Sequence, residues 1–184
     1  MQHTLFALVE NKPGVLNRVA SLFRRRNFNI ESLNVGQTES PEISRMTIVM
    51  DGDERDVRIV EANLYKLVNV IDVQEVTNRP AVLRDLALIK VRAAPEKRAE
   101  IANLASIFRA NIVDVAPDSV IVEITGTEDK IESLVELLRP MGILEMVRTG
   151  QVAMMRGDQP GARHTPGAGN NGNGYHKQNT EYLN

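Results

Sequence analysis

The chain has 184 residues, 42% of them hydrophobic, 25% charged and 4% aromatic, with a formal charge of −2 and no cysteine. That length allows one domain or two small ones, and the lack of cysteine excludes a disulfide scaffold, a thiolate metal site and a cysteine nucleophile. Near-neutral charge argues against a protein built to sit on nucleic acid or an anionic membrane, and no apolar run reaches the roughly 18 residues of a membrane span. The N-terminus MQHTLFALVE has neither a basic n-region nor an arginine-rich transit character, so a cytoplasmic location is expected.

Thr4 to Val9 is a short apolar run closed by Asn11-Lys-Pro-Gly14, which predicts a strand and a turn. From Gly14 the period becomes helical, with Val15, Val19, Leu22 and Phe23 on one face. Arg24, Arg25 and Arg26 close this helix, where cations complement the negative end of the dipole, and Asn27 is a candidate to terminate it. Phe28 to Thr38 reads as a second strand, Pro41 breaks it, and Met46 to Met50 alternates as a third. Asp53 can cap a helix whose stripe is Val57, Val60, Leu64 and Leu67, and Val68 to Val76 is a fourth strand. Strand, helix, strand, strand, helix, strand is the split βαβ, ferredoxin-like order.

After Pro80 the pattern repeats. Asp85 to Val91 is a strand, Pro95 to Arg109 a helix carrying Ile101, Leu104, Ala105 and Phe108, and Ile112 to Val115 a strand. Asp118 to Thr125 follows, then a helix with Thr127 as N-cap and Ile131, Leu134, Val135 and Leu138 inward, and finally a strand from Ile143 to Val147. The fold class is therefore α+β, two tandem βαββαβ domains at 1–78 and 79–156. In each copy the helices cover one sheet face, so the other face or an edge is expected to find a partner, and dimerisation is the economical solution. A fragment ending near Arg79 carries a complete set of elements and is expected to fold alone. Residues 157–184 hold six of the twelve glycines with Asn, Gln and Pro between them, a composition expected to be disordered. Their Gly167-Ala-Gly-Asn-Asn-Gly172 spacing has no strand before it and no helix after it, so it carries no dinucleotide reading.

No catalytic constellation emerges: there is no phosphate loop, no H-E-x-x-H and no metal-spaced cluster, and His3 is expected at the surface. Asp51, Asp53 and Glu54 sit where a turn and a helix start explain them, and the methionines suit packing. One region exceeds the needs of folding. The helix start at Gly14 offers unpaired N–H groups suited to a carboxylate, and glycine allows close approach. Asn11 and Asn29 add amides, while Val15, Leu16 and Ile30 supply apolar walls. The loop and the start of the second strand are expected side by side, forming a site for a small apolar amino acid.

Glu10-Asn-Lys-Pro-Gly-Val-Leu16 together with Asn27-Phe-Asn-Ile-Glu-Ser-Leu33 resembles the signature of ACT domains. Continued through Ser44-Arg-Met-Thr-Ile48 and Ile107-Phe-Arg-Ala-Asn-Ile-Val-Asp-Val115, the chain resembles the small regulatory subunits of acetohydroxyacid (acetolactate) synthase as far as about Gly157. The resemblance implies a chain with no active site of its own. It would activate a catalytic large subunit and confer feedback inhibition by valine, leucine or isoleucine in branched-chain amino acid biosynthesis. Thiamine diphosphate, Mg and FAD would belong to that partner, with no cofactor in this chain. It also implies a homodimer whose paired ACT domains hold the effector at positions matching Asn11, Gly14, Val15, Leu16, Asn29 and Ile30. The alternative is an amino-acid-sensing ACT protein that regulates a different enzyme or transcription regulator. An RNA-binding module needs aromatic residues on the central strands, and the run Ser44 to Met50 has none.

Overall fold

The computed structural model describes residues 1–157. The first domain comprises β1 (Gln2–Glu10), α1 (Val15–Arg25), β2 (Ile30–Gln37), β3 (Ile43–Asp51), α2 (Glu54–Leu64) and β4 (Val70–Glu75), with strand order β2-β3-β1-β4, all neighbours antiparallel. The second repeats it with β5 (Ala81–Arg92), a 3-10 turn at Pro95–Lys97, α3 (Arg98–Ile107), β6 (Asn111–Val115), β7 (Ser119–Gly126), α4 (Glu128–Leu138) and β8 (Ile143–Arg148), in the order β6-β7-β5-β8. A ninth strand, β9 (Val152–Met155), pairs with the start of β5. The tandem ferredoxin-like arrangement is thus the one expected. Apart from Gly157, the segment expected to be disordered lies outside the described residues.

Local chemistry accounts for the element ends. Asp53 accepts from the Asp56 N–H at 2.9 Å while Asp56 accepts from the Asp53 N–H at 3.1 Å, a reciprocal box that starts α2. Thr127 occupies the N-cap of α4 but its side chain makes no capping bond; Glu128 and Asp129 in the first turn complement the dipole instead. Helices α1 and α3 end alike. Asn27 (φ 58°) and Arg109 (φ 52°) are left-handed, and the next N–H, of Phe28 or Ala110, reaches back five residues to the Phe23 or Ala105 carbonyl.

Strand alternation sorts β1 into two faces. Leu5, Ala7 and Val9 join Val15, Val19, Phe23, Met46, Ile48, Val57 and Val60 under the helices. Phe6 and Leu8 point the other way, into a second cluster with Ile43 and Val76. The cover for that second face comes from the same chain: Ala81 and Leu83 on β5, and Ala153 and Met155 on β9. Of the expectation that the other face or an edge finds a partner, the part that concerns the face of the first domain is thus met within the chain. β5 begins four residues before the strand expected from the sequence, and its extra turn of alternation, with β9 beside it, roofs the first sheet. Arg45 of β3 seals the joint. Its guanidinium lies 3.7 Å over the Phe6 ring and donates to the Ala153 carbonyl at 2.8 Å. Burial pulls the Arg45 pKa down, with the charges of Asp72 and Glu39 opposing that effect.

The second domain keeps its own core, Ala87, Ile89 and Val91 against Ile101, Ala105, Ile131 and Leu134. Among the described residues nothing covers its far face, where Val147 and Met154 are more than half exposed. Among the described residues no helix is long and apolar enough to cross a membrane.

Because Phe6 is 1% exposed and sits at the joint, Phe6→Ala is expected to cost about 3–5 kcal/mol in urea denaturation followed by circular dichroism. A fragment ending at Arg79 would bare Phe6, Leu8, Ile43 and Val76, each worth about 1.5–3 kcal/mol of burial. Contrary to the expectation that it folds alone, it is therefore expected to be unfolded by circular dichroism at micromolar concentration, where the full chain is folded.

Candidate functional site

The loop after β1 is fixed from below. The Glu10 N–H donates to the Asn69 carbonyl at 2.9 Å, and the Asn69 side chain both donates to the Glu10 carboxylate and accepts from Arg18. Hydrogen bonds from Asn69 and then Lys12 hold the Glu10 carboxyl below the usual carboxylate range. Asn69 is itself buried, so this small network sets where α1 begins. From the side, the Asn11 N–H donates to the Glu42 carbonyl at 2.7 Å and its Nδ2 to the Pro41 carbonyl at 2.8 Å. The Asn11 amide nitrogen thus ties the loop to the β2–β3 turn, a structural duty that the sequence reading had not assigned to it.

Gly14 is the N-cap of α1 at φ 84°, a left-handed position favouring glycine, and no atom lies within 4 Å of where its Cβ would stand. No side chain caps this helix and its first turn holds no acidic residue. The positive end of the dipole is therefore open and uncompensated, which suits a carboxylate. Val15 is turned into the core, so of the two apolar residues expected to line a pocket here only Leu16, 44% exposed, faces out.

Asn29 and Ile30 lie elsewhere. Ile30 is level with Met50, and Met50 with His3, whereas Glu10 is level with Ile43 and Gln37 with Ser44. Asn11 is eight positions beyond His3 along β1, which at about 3.3 Å per residue puts it roughly 26 Å from the level of Ile30. The expectation that the two segments are neighbours within one domain therefore fails. Both β1 and β2 are antiparallel to β3, hence parallel to each other, and α1 returns the chain to the opposite end before β2 starts. The Asn29 amide is exposed and donates to Glu31; Ile30 is half-buried against the first core.

The duplicated domain serves as an internal control. Counting from the matching helix ends, Asn111-Ile112 occupies the position of Asn29-Ile30, and Pro95-Glu96 that of Pro13-Gly14. There the helix start is wound into a 3-10 turn whose acidic residue is Glu96. A negative side chain thus occupies the place where the first domain leaves a bare glycine, and the second copy is ill suited to a carboxylate.

His3 departs from expectation: it is 1% exposed, with Nδ1 2.8 Å from Glu75 Oε1 and Nε2 enclosed without a hydrogen-bond partner among the described residues. It lies on the β1 face that packs under the helices, which the position at a chain start concealed. Among the described residues no group of three or more His, Asp or Glu is placed to hold a metal ion.

Comparison with known proteins agrees with this layout. The family described as "AHAS small subunit-like ACT domain" matches residues 5–72, and "Small subunit of acetolactate synthase" matches residues 84–157. A "Probable acetolactate synthase small subunit" of Archaeoglobus fulgidus is 57% identical over 159 residues, covering 86% of this chain and 99% of the relative. The acetolactate synthase small subunit of Bacillus subtilis is 46% identical over 160 residues, 86% of this chain and 93% of the relative. The crystal structure of the small subunit of acetolactate synthase from Thermotoga maritima superposes with a TM-score of 0.80 at 43% identity, covering 86% of this chain and 99% of that one. With both halves matched in order and nearly the whole of each relative spanned, the chain belongs to the family of acetolactate synthase small subunits, its first domain being an ACT domain.

Proposed function

We propose that this chain is a regulatory subunit that activates the thiamine-diphosphate-dependent large subunit and makes it sensitive to valine, leucine or isoleucine. Thiamine diphosphate, Mg and FAD are assigned to that large subunit, and the complex to the cytoplasm. The effector binds between two ACT domains of a homodimer. The observation that carries this reading is the register of the first sheet: the open helix start at Gly14 and Leu16 lies at one end of the domain, and Asn29 and Ile30 at the other.

β2 is an edge strand, and β5 and β9 cover the sheet face rather than this edge. Two copies that pair their β2 edges antiparallel bring the Asn29-Ile30 end of one protomer to the Asn11–Leu16 end of its partner. Each dimer then has two equivalent sites. In each, the α1 N–H groups of one protomer take the effector carboxylate and the partner's Asn29 meets its polar groups. Leu16 and Ile30 from opposite chains enclose the apolar side chain. For binding to inhibit, the effector must favour one quaternary state over another, a coupling typically of about 1–3 kcal/mol.

Gly14→Asp places a negative charge in the carboxylate position, and loss of a charge-assisted bond of about 1.5–3 kcal/mol is expected to weaken effector binding at least tenfold by calorimetry. The left-handed Gly14 also means that any replacement is strained by about 1–3 kcal/mol, so Gly14→Asn serves as the control for conformation without charge. Asn is expected to melt like Asp yet retain more effector response.

Sites shared between protomers have a further signature. Co-expressed Gly14→Asp and Asn29→Ala chains are expected to form mixed dimers in which one of the two sites is wholly wild type. Valine binding and inhibition should then exceed those of either variant alone, Asn29→Ala being the milder of the two. A site built within one protomer would leave every site of the mixed dimer damaged, and no recovery would refute the shared arrangement.

A further inference from the structure

The contact between the two domains nearest to Asn29 and Ile30 is made by Ser32. A β-bulge interrupts the β2–β3 register between Ile30 and Ser32, leaving Glu31 as the unpaired residue. Ser32 Oγ then accepts the Gln151 N–H at 3.3 Å and packs against Gly150, which connects β8 to β9. Gly150 is left-handed at φ 79°, and a Cβ built on it would overlap the Ser32 hydroxyl, so the close approach depends on glycine.

The loop that receives Ser32 is held firmly to the second domain. Asp85, buried at the start of the second sheet, accepts from Arg148 Nε at 2.9 Å and Nη2 at 2.8 Å, and from the Thr149 hydroxyl at 3.1 Å. The Leu86 N–H donates to the Thr149 hydroxyl at 3.2 Å. Gln151 bridges the domains, accepting from Thr4 Oγ1 at 3.4 Å and donating to Glu128 at the start of α4 at 3.1 Å. A cleft of about 410 Å³, lined in part by Glu31, Ser32, Leu33 and Arg148, opens beside the contact and leaves room for displacement.

We infer that the bulge at Glu31 and the Ser32–Gly150–Gln151 contact form the element that couples effector occupancy to the position of the second domain. The inference rests on the effector site proposed above. A ligand held at Asn29 and Ile30 acts one residue from the bulge, the place where a strand re-aims its side chains most cheaply. Ser32 is the next residue to meet another domain. Because Asp85 anchors the receiving loop, a shift at Ser32 moves the second domain instead of loosening the loop, and close-packed contacts of this kind switch between discrete arrangements.

The test uses full-length chains reconstituted with the large subunit. Ser32→Ala is expected to bind valine within about twofold of wild type by calorimetry and to activate equally without valine. At saturating valine it is expected to keep at least threefold more activity than the wild-type complex. Gly150→Ala is expected to uncouple in the same direction. Valine should change amide hydrogen exchange over Gly150–Ala153 in the wild-type chain and leave it unchanged in Ser32→Ala, a readout that a merely stabilising contact would not move. Undiminished inhibition in both variants overturns the coupling while leaving the effector site intact. Equal loss of binding and inhibition in Ser32→Ala places Ser32 in the effector site and also overturns it. Failure of the wild-type chain to bind valine, leucine or isoleucine overturns the site and the coupling together.

Discussion

Burial of the outer face of the first sheet is the constraint on which the remaining architecture depends. Phe6, Leu8, Ile43 and Val76 point away from their own helices and cannot be left in water. The chain solves this with one twelve-residue strand serving two sheets: the first positions of β5 roof the ACT domain, and the remainder forms a central strand of the second domain. β9 returns from the end of the second sheet to widen the roof. The two domains are consequently joined through packed side chains and a stacked arginine, which gives a mechanical path between them that a flexible linker would lack.

With the face occupied, the first sheet has two open edges among the described residues, β2 and β4, and the β2 edge is the one used in the arrangement proposed above. The ferredoxin-like path sends β1 and β2 in the same direction, so the loop that ends β1 and the residues that begin β2 are separated by the length of the sheet. Within one protomer they stand at opposite ends of the sheet. Antiparallel pairing of two β2 edges, as proposed above, would bring these opposite ends together twice across one interface.

The duplication keeps the fold while changing the chemistry of the helix start. Both domains retain the left-handed helix terminus, at Asn27 and at Arg109, and both retain Asn-Ile at the following strand. Only the first keeps an uncapped, uncharged helix start at a glycine; the second fills it with Glu96. The scaffold is conserved by packing, whereas the capacity to receive a carboxylate turns on a single residue at the dipole end.

The sequence by itself determined the tandem βαββαβ order, because hydrophobic period and turn residues are local properties: Pro13-Gly14, Asp53 and Gly142 punctuate the chain where the elements change. It also singled out Asn29, which no turn or cap requires, and Gly14, whose turn role leaves an open helix start beside it. What only the tertiary structure decided are matters of face and end. The alternation of β1 reveals two apolar faces but not what covers the second, and β9 is four residues long, too short for its period to stand out from a loop. His3 looked terminal and exposed because what packs on its face, and its partner Glu75 more than seventy residues away, are set by the fold. The separation of Asn11 from Ile30 follows from strand direction, which no local pattern records, and the meeting of Ser32 with Gly150 follows from how two domains pack. Local periodicity specifies elements; direction, register and long-range contact specify where their functional residues come to lie.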